Sequence, residues 1–222
     1  MKKEFTDKVK CADLVLIGIG LEFEKNKYIC DERAIKALQE LLNVLEGKNY
    51  FIISTCTNGI LNQIGFKEDR IVTPCGNLKL KQCQECKDTL APLSEEDFII
   101  LKEAIHKAEI PALTQCPVCG APMVLNNVYA TNYDENGYLQ DWTIYKKWLQ
   151  GTINKNVCIL ELGVGLVFPS VIRWPFEKIA FYNQKAVFVR VNERLYHMSE
   201  ELKDKGISVA QNAIDWLLET DI

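Results

Sequence analysis

Short runs of apolar residues alternate along the chain with segments whose apolar residues recur at helical spacing. The first run, ADLVLIGIG, is apolar and β-branched and ends at glycine, which predicts a buried strand. Residues 31–46 follow with apolar positions three and four residues apart, Asp31 at the N-cap position and Gly47 after the last turn, which predicts an amphipathic helix. YFIIS from Tyr50 and RIVT from Arg70 predict the next two strands.

The same alternation occupies the second half of the chain. A helix precedes the strand VCILELG, a helix after Pro169 precedes the strand AVFVRVN, and a last helix is expected over about residues 210–218. Apolar strands that alternate with amphipathic helices indicate an α/β fold, with a parallel sheet covered by helices on both faces. Trp142, Tyr145 and Trp148 lie at helical spacing, which favours the core over a binding platform.

Residues 75–123 interrupt this alternation. They contain two C-x-x-C pairs, four prolines and one amphipathic helix that begins at the capping box SEED, at Ser94. We therefore expect a small inserted domain over residues 75–123 and a large domain formed by residues 1–74 and 124–222.

The two C-x-x-C pairs carry the strongest chemical signal. They stand in KQCQECKD and TQCPVCGAP, and their cysteines are Cys83, Cys86, Cys116 and Cys119. Each pair can direct two thiolates at one ion, and two pairs supply the closed tetrahedral Cys₄ set that structural zinc prefers. Four unrelated buried cysteines are the alternative. The sequence predicts one structural zinc ion at these residues.

Composition restricts the class of partner and the compartment. Lys and Arg total 26 against 30 for Asp and Glu, a net charge of −4, and a chain without a basic run lacks the electrostatic footprint of a nucleic-acid binder. No apolar stretch approaches the roughly 18 residues of a membrane-spanning helix. The nine cysteines are an odd number, and four of them form metal-type pairs, which favours a reducing compartment. We expect a cytoplasmic protein with no nucleic-acid and no membrane partner.

Two predicted strands end in G-x-G turns. Gly18 and Gly20 follow the first strand, and Gly163 and Gly165 follow the strand VCILELG. Turns of this kind let the phosphates of a ligand approach the backbone closely, and ligands of parallel sheets sit at the carboxyl ends of the strands. The third glycine of the dinucleotide fingerprint is missing after Gly20. Each turn could also do no more than turn the chain at the end of a strand.

The order of these motifs resembles the sirtuins, the NAD-dependent protein deacylases and ADP-ribosyltransferases. The resemblance extends over nearly the whole chain and looks closest to the bacterial branch linked to ADP-ribosylation, in which stretches like CPVCGAPM and LELGVG occur. It implies a Rossmann-type large domain, an inserted zinc-ribbon small domain and an NAD cleft between them. It also implies a nucleotide ligand and a protein substrate or partner.

The resemblance assigns roles to residues in several segments. The cofactor loop would begin at Gly18, Ile19 and Gly20, and the second cofactor turn would be Gly163, Val164 and Gly165. The asparagine that holds the adenosine ribose would be Asn192. The T-x-N-x-D turn of the family aligns with STCTNGI, so Cys56 and Asn58 would lie at the cofactor, and the catalytic pair His-Gly aligns with Cys75 and Gly76.

Several of these positions depart from the family pattern. Cys56 stands where the family has the orienting asparagine, Asn58 where it has an aspartate, and Cys75 where it has the histidine base. Asn58 and Cys75 are therefore the candidate catalytic residues, and a small buried residue is the other interpretation of Cys75. Glu22 and Glu24 place negative charge where a pyrophosphate should lie, which opposes its binding by Coulomb repulsion.

Two functions follow from this pattern. The first is an NAD-consuming ADP-ribosyltransferase or deacylase with a changed base. The second is a non-catalytic module that binds a nucleotide or a protein. One further pair of residues, Arg173 beside Trp174, is interpreted as a stacked pair on a helix, with no site implied.

Overall fold

The computed structural model describes residues 2–86, 89–104 and 111–219, and these residues form two sheets with helices around them. The strands are β1 (Leu14–Ile19), β2 (Asn49–Ser54), β3 (Ile71–Val72), β4 (Gly76–Cys83), β5 (Ala91–Pro92), β6 (Met123–Asn127), β7 (Val157–Leu162), β8 (Ala186–Val191) and β9 (Gly206–Val209). The helices are α1 (Lys2–Cys11), α2 (Glu32–Val44), α3 (Glu95–Ala104), α4 (Asn136–Gln150), α5 (Arg173–Tyr182) and α6 (Ala213–Leu218).

The larger sheet has six parallel strands in the order β3-β2-β1-β7-β8-β9. Its central strand β1 pairs in register with both neighbours, so that Ile19 lies beside Ser54 on one side and beside Leu162 on the other. Leu162 in turn lies beside Val191. The carboxyl ends of β1, β2, β7 and β8 therefore meet at one edge of the sheet, where ligands of such folds bind.

Helices cover both faces of this sheet because the side chains of each strand alternate between the faces. Val15 and Ile17 pack with residues of α1, α2 and α6, whereas Leu14 and Leu16 pack with residues of α4 and α5. Both sets are buried, which explains why the strands are almost entirely apolar. The predicted α/β class, with a Rossmann-type parallel sheet between two helical layers, is confirmed.

The smaller sheet is antiparallel, with β4 between β5 and β6. Together with α3 it surrounds a separate small core that includes Cys83, Cys116, Leu101 and Met123. The expected boundary between residues 123 and 124 falls at the start of β6. The division of the chain into residues 75–123 and the two segments around them stays a prediction.

Most elements of the larger sheet lie where the sequence predicts them. Asp31 is the N-cap of α2 and accepts hydrogen bonds from the backbone N–H groups of Arg33 and Ala34. The last helix begins at Ala213 rather than near residue 210, because the side chain of Asn212 caps its first turn. Helix α1, strand β9 and the three strands of the smaller sheet were not predicted. In the part of the chain that the structure describes, no helix has the length and apolar character to cross a bilayer.

A buried acidic side chain joins α3 to the smaller sheet. Asp97 is fully buried and forms an ion pair with Lys81 of β4. Its carboxylate also accepts hydrogen bonds from Ser94 Oγ (2.7 Å) and Ser94 N (2.8 Å), which confirms the capping box, and from Thr114 N (3.1 Å). Burial raises the pKa of this carboxyl, but the hydrogen bonds from Lys81, Ser94 and Thr114 outweigh burial and hold the pKa well below its usual range.

We expect Asp97→Asn to lower the free energy of unfolding by about 3 kcal/mol, because it leaves the Lys81 ammonium buried without its counter-charge. Because the pKa of Asp97 is lower in the folded chain than in the unfolded chain, where it is about 3.9, its carboxylate stabilises the fold fully at pH values above this unfolded value. This stabilisation is lost as the pH falls through the pKa of the folded chain. The difference between wild type and variant should therefore stay constant from about pH 5 to about pH 8. Urea unfolding of the full chain measures it.

The matched control for this variant is Glu96→Gln, which removes the neighbouring carboxylate on the exposed face of the same helix turn. A surface change of this kind should alter the unfolding free energy by less than about 0.5 kcal/mol. Equal losses in both variants would contradict the structural role assigned to the buried carboxylate.

Candidate functional site

The four cysteines of the C-x-x-C pairs converge on one point. The Sγ atoms of Cys83, Cys86, Cys116 and Cys119 all lie within 4.8 Å of one another. The distance between Cys83 Sγ and Cys119 Sγ is 3.6 Å, close to the ~3.8 Å between two sulfurs that bind zinc tetrahedrally at about 2.3 Å. The structure therefore forms a Cys₄ metal-binding site, and its donor set fits zinc.

The local backbone explains why each pair forms a metal knuckle. Strand β4 ends at Cys83, and the chain then turns so that the backbone N–H groups of Cys86 and Glu85 both donate to Cys83 Sγ at 3.3 Å. These hydrogen bonds lower the pKa of Cys83 to about 7, which favours the thiolate that a metal needs. In the second knuckle Gly120 adopts a φ of 75° and donates its N–H to Cys116 O (2.9 Å). A closed set of four thiolates is a structural site and leaves no position for catalysis.

The two G-x-G turns meet at the carboxyl edge of the larger sheet. The Gly20 N–H donates to Leu162 O (2.8 Å), and the Gly163 N–H donates to Val191 O (2.9 Å). A Cβ atom at Gly20 would lie 2.1 Å from Gly163 O, and Gly163 has a φ of 61°. Both glycines are therefore required by the close approach of the two turns. Residues 18–20 and 163–165, assigned to the cofactor by the resemblance, are adjacent in the structure.

Asn192 lies at the same edge, directly after β8, and its side chain is buried. Its Nδ2 donates to Val164 O (3.2 Å), and its Oδ1 accepts from Arg194 N (3.0 Å) and Leu195 N (2.7 Å). Asn192 thus ties the loop after β8 to the second glycine turn. The structure brings this predicted residue to the predicted edge and shows its amide engaged in contacts within the chain.

A network of buried charges supports the second glycine turn, and sequence analysis missed it. Arg173, interpreted from the sequence as half of a stacked pair on a helix with no site implied, donates to Val164 O (3.3 Å), Leu195 O (2.9 Å) and Glu161 Oε1 (3.3 Å). Arg190 forms two further bonds with Glu161, at 2.7 and 3.0 Å. Burial raises the pKa of Glu161, and the arginines oppose that shift. The signal in the sequence was a glutamate within the apolar run VCILEL.

The turn after β2 holds Cys56 and Asn58, both buried. Cys56 Sγ donates to Gly20 O (3.2 Å), so the thiol closes onto the first glycine turn. Asn58 Nδ2 donates to Asn26 O (3.3 Å) and to Ile29 O (3.5 Å). The amide of Asn58 therefore holds the loop of residues 24–30 in place.

Cys75, the residue aligned with the histidine base, lies three residues after the end of β3 and directly before β4, and it is buried. Burial, together with the nearby Glu24 carboxylate, raises the pKa of its thiol to about 12. Burial also raises the pKa of Cys56 far above its usual range. Both thiols are therefore protonated at neutral pH and cannot accept a proton from a ribose hydroxyl.

The two glutamates that follow the first glycine turn point into this edge of the sheet. Glu22 Oε2 accepts a hydrogen bond from Ala213 N (2.8 Å). The Glu24 carboxylate accepts from the backbone N–H groups of Thr57 and Asn58 and from the Thr57 hydroxyl. Burial raises the pKa of both carboxyls, although the backbone hydrogen bonds oppose the shift. Both carboxyl groups lie at this edge, and each accepts hydrogen bonds from donors of the chain itself.

Comparison of the sequence with characterised proteins gives two relatives, while no protein-family model matches the chain. One is a protein ADP-ribosyltransferase of Staphylococcus aureus, 25% identical over 183 residues, which cover 78% of this chain and 56% of that protein. The other is a probable bifunctional ADP-ribose hydrolase/ADP-ribosyltransferase of Fusarium oxysporum f. sp. cubense, 27% identical over 172 residues, which cover 73% of this chain and 29% of that protein. The chain spans about half the length of the first relative and less of the second.

Comparison of the structure gives the fold. A structure of Sir2 bound to an acetylated peptide superposes with a TM-score of 0.61 at 14% identity, and one of Sir2 with a p53 peptide and NAD+ with a TM-score of 0.60 at 14% identity. Each superposition covers 98% of this chain and 95% of the Sir2 chain. The chain has the sirtuin fold, and the resemblance predicted from the sequence is confirmed. Both relatives are named for ADP-ribosyl transfer, and one of them is bacterial.

We expect the purified chain to contain about one zinc ion, and we expect Cys116→Ser to release it. Structural zinc contributes folding free energy of order ~10 kcal/mol in small zinc modules, so the small core around the cysteines should unfold with the metal. Metal analysis of protein purified without chelator measures the content.

Cys158→Ser serves as the control, because this cysteine is buried in the larger sheet, away from the cluster. It should retain the metal. Well-folded wild-type protein without zinc would contradict the assignment.

Proposed function

We propose that this chain is a sirtuin-like protein that holds a structural zinc ion, binds NAD or ADP-ribose and does not deacylate lysine. The observation that supports it most is the meeting of residues 18–20, residues 163–165 and Asn192 at one edge of the parallel sheet. Glycines at the carboxyl ends of adjacent strands are suited to the close approach of phosphates. The nucleotide cleft would lie between this edge and the inserted zinc domain.

The neighbours and relatives support a nucleotide and a protein as partners. One superposed Sir2 structure holds a p53 peptide and NAD+, and another holds an acetylated peptide. Both curated relatives are named for ADP-ribosyl transfer. By analogy this chain would meet NAD or ADP-ribose in the cleft and a protein at its rim. None of the nine cysteines is in a disulfide, and four of them form the metal site, a pattern that supports a reducing compartment such as the cytoplasm.

The proposal leaves two alternatives, ADP-ribosyl transfer and non-catalytic binding. The buried thiol of Cys75 argues against deacylation, because that chemistry needs a base at the ribose hydroxyl. ADP-ribosyl transfer asks less of this base, and the names of the relatives favour it as the surviving reaction. A non-catalytic module that binds nucleotide or protein is the alternative, and it is favoured by the structural engagement of Asn58 with the loop of residues 24–30.

We expect ADP-ribose or NAD at 100 times its dissociation constant to stabilise the fold by about 2.7 kcal/mol. We expect Gly165→Glu to weaken binding, because it adds bulk and negative charge at the second glycine turn. A Cβ atom at Gly165 meets nothing within 4 Å, so the fold should tolerate the change. Thermal unfolding with millimolar NAD, ADP-ribose and AMP, followed by calorimetry, measures both effects.

Ser170→Glu is the control for this variant, since it adds the same charge at an exposed position five residues further along. It should bind like the wild type. If none of the three nucleotides shifts the unfolding temperature or produces heat, the binding part of the proposal fails.

We expect no detectable deacylation of acyl-lysine peptides. A positioned general base contributes roughly 10²–10⁴-fold, and the group at that position is a protonated thiol. Peptide deacylation, NAD consumption and transfer of labelled ADP-ribose should be assayed side by side, with wild type and Cys75→Ala. Strong deacylation that disappears in Cys75→Ala would overturn this prediction and make Cys75 a catalytic residue.

A further inference from the structure

The turn after β2 presents a set of hydrogen-bond donors that one side chain of the protein fills. The backbone N–H groups of Thr57 and Asn58 and the Thr57 hydroxyl all face the carboxylate of Glu24. The distance is 3.1 Å from Asn58 N to Glu24 Oε2 and 3.3 Å from Thr57 Oγ1 to Glu24 Oε1. We call these three donors the 57–58 turn.

The 57–58 turn requires an acceptor. Thr57 and Asn58 are 1% exposed, so water has little access to their backbone N–H groups. A buried N–H group without a partner costs about 1–3 kcal/mol, and two adjacent ones would destabilise the turn markedly. The folded chain is therefore more stable with an acceptor oxygen at this position than without one.

The 57–58 turn also lies where the ligand of the proposed function would bind. It follows directly from β2, whose carboxyl end is beside that of β1. Cys56, the residue before it, donates to Gly20 O in the first glycine turn. Tyr129 and Cys75 lie close enough for the Glu24 charge to raise the pKa of each.

The Glu24 carboxylate is held in the 57–58 turn by hydrogen bonds. Among the described residues no Lys or Arg forms an ion pair with it, and the ammonium of Lys27 lies over the ring of Tyr129 instead, 3.4 Å from its centre. Glu24 is half-buried, and burial opposes its ionised form. The loop that carries it has one short turn at residues 21–23 and no helix or strand from residue 24 to residue 31. The nearby Lys27 charge lowers the pKa of Glu24 without a direct ion pair, so hydrogen bonds alone hold the carboxylate in the turn, and another acceptor oxygen can take its place.

We propose that the 57–58 turn is a binding site for an acceptor oxygen of the nucleotide, and that Glu24 occupies this site in the ligand-free chain. The ligand then enters by replacing Glu24, and the Glu24 charge sets how tightly an anionic nucleotide binds. This inference rests on the proposed function for the identity of the ligand. The site itself is defined by the chain alone.

The first arm of the test uses no nucleotide. Glu24→Ala empties the 57–58 turn, so the variant should unfold at a lower temperature than the wild type. Sodium acetate at tens of millimolar, compared with sodium chloride at equal ionic strength, should restore part of the loss by supplying a carboxylate. Wild type and Glu40→Ala, which removes an exposed carboxylate from α2, should show no response to acetate.

The second arm uses Glu24→Gln, which keeps an acceptor oxygen in the site and removes the charge. Calorimetry should show ADP-ribose and NAD binding at least tenfold more tightly than to the wild type, equivalent to about 1.4 kcal/mol. Glu40→Gln is the matched control and should bind like the wild type. Because Glu24→Gln preserves the hydrogen bonds, it decides the question even if Glu24→Ala does not fold.

The outcomes separate this inference from the proposed function. Acetate rescue without nucleotide binding in any variant would uphold the site and contradict the proposed function. Nucleotide binding of equal strength in wild type and Glu24→Gln would uphold the proposed function and overturn the inference. Absence of acetate rescue in folded Glu24→Ala would also count against the site.

Discussion

The close contact between the turns after β1 and β7 is the constraint on which the site depends. Gly20 lies so near Gly163 that neither turn has space for a side chain between them. This contact follows from the parallel register of the two strands, which places Ile19 beside Leu162. Any side chain at Gly20 would push the ends of β1 and β7 apart. It would thereby disrupt the edge of the sheet at which Asn192 and the 57–58 turn lie.

The chain satisfies nearly all of the polar groups at this edge with its own atoms. The Asn192 amide holds the loop after β8, and the Asn58 amide holds the loop of residues 24–30. The carboxylates of Glu22 and Glu24 accept hydrogen bonds from backbone N–H groups. Such an arrangement is stable without a ligand because these buried amide and backbone donors already have acceptors within the chain. The same arrangement means that a ligand must exchange hydrogen bonds rather than fill vacant ones.

The features of this protein that could be predicted from the sequence are those that depend on residues close together along the chain. Five of the six strands of the larger sheet, all but β9, appear as apolar runs, and the metal cluster appears as two cysteine pairs with fixed spacing. The role of Arg173 could not be predicted, because its partners Val164 and Leu195 are distant in sequence and meet only when β7 and β8 pair. Strand β6 was missed because its sequence MVLNN shows no apolar alternation, and Asn126 is buried only because its amide donates a hydrogen bond to Gln82 of β4.

The lengths of the outer strands have a consequence for self-association. The larger sheet ends in β3, with two residues, on one side and in β9, with four residues, on the other. An edge strand offers its unpaired N–H and C=O groups as a template for strands of other molecules, and short edges limit that template. The broad, almost wholly apolar centre of this sheet is thus protected from edge-to-edge aggregation by the brevity of the strands at its margins.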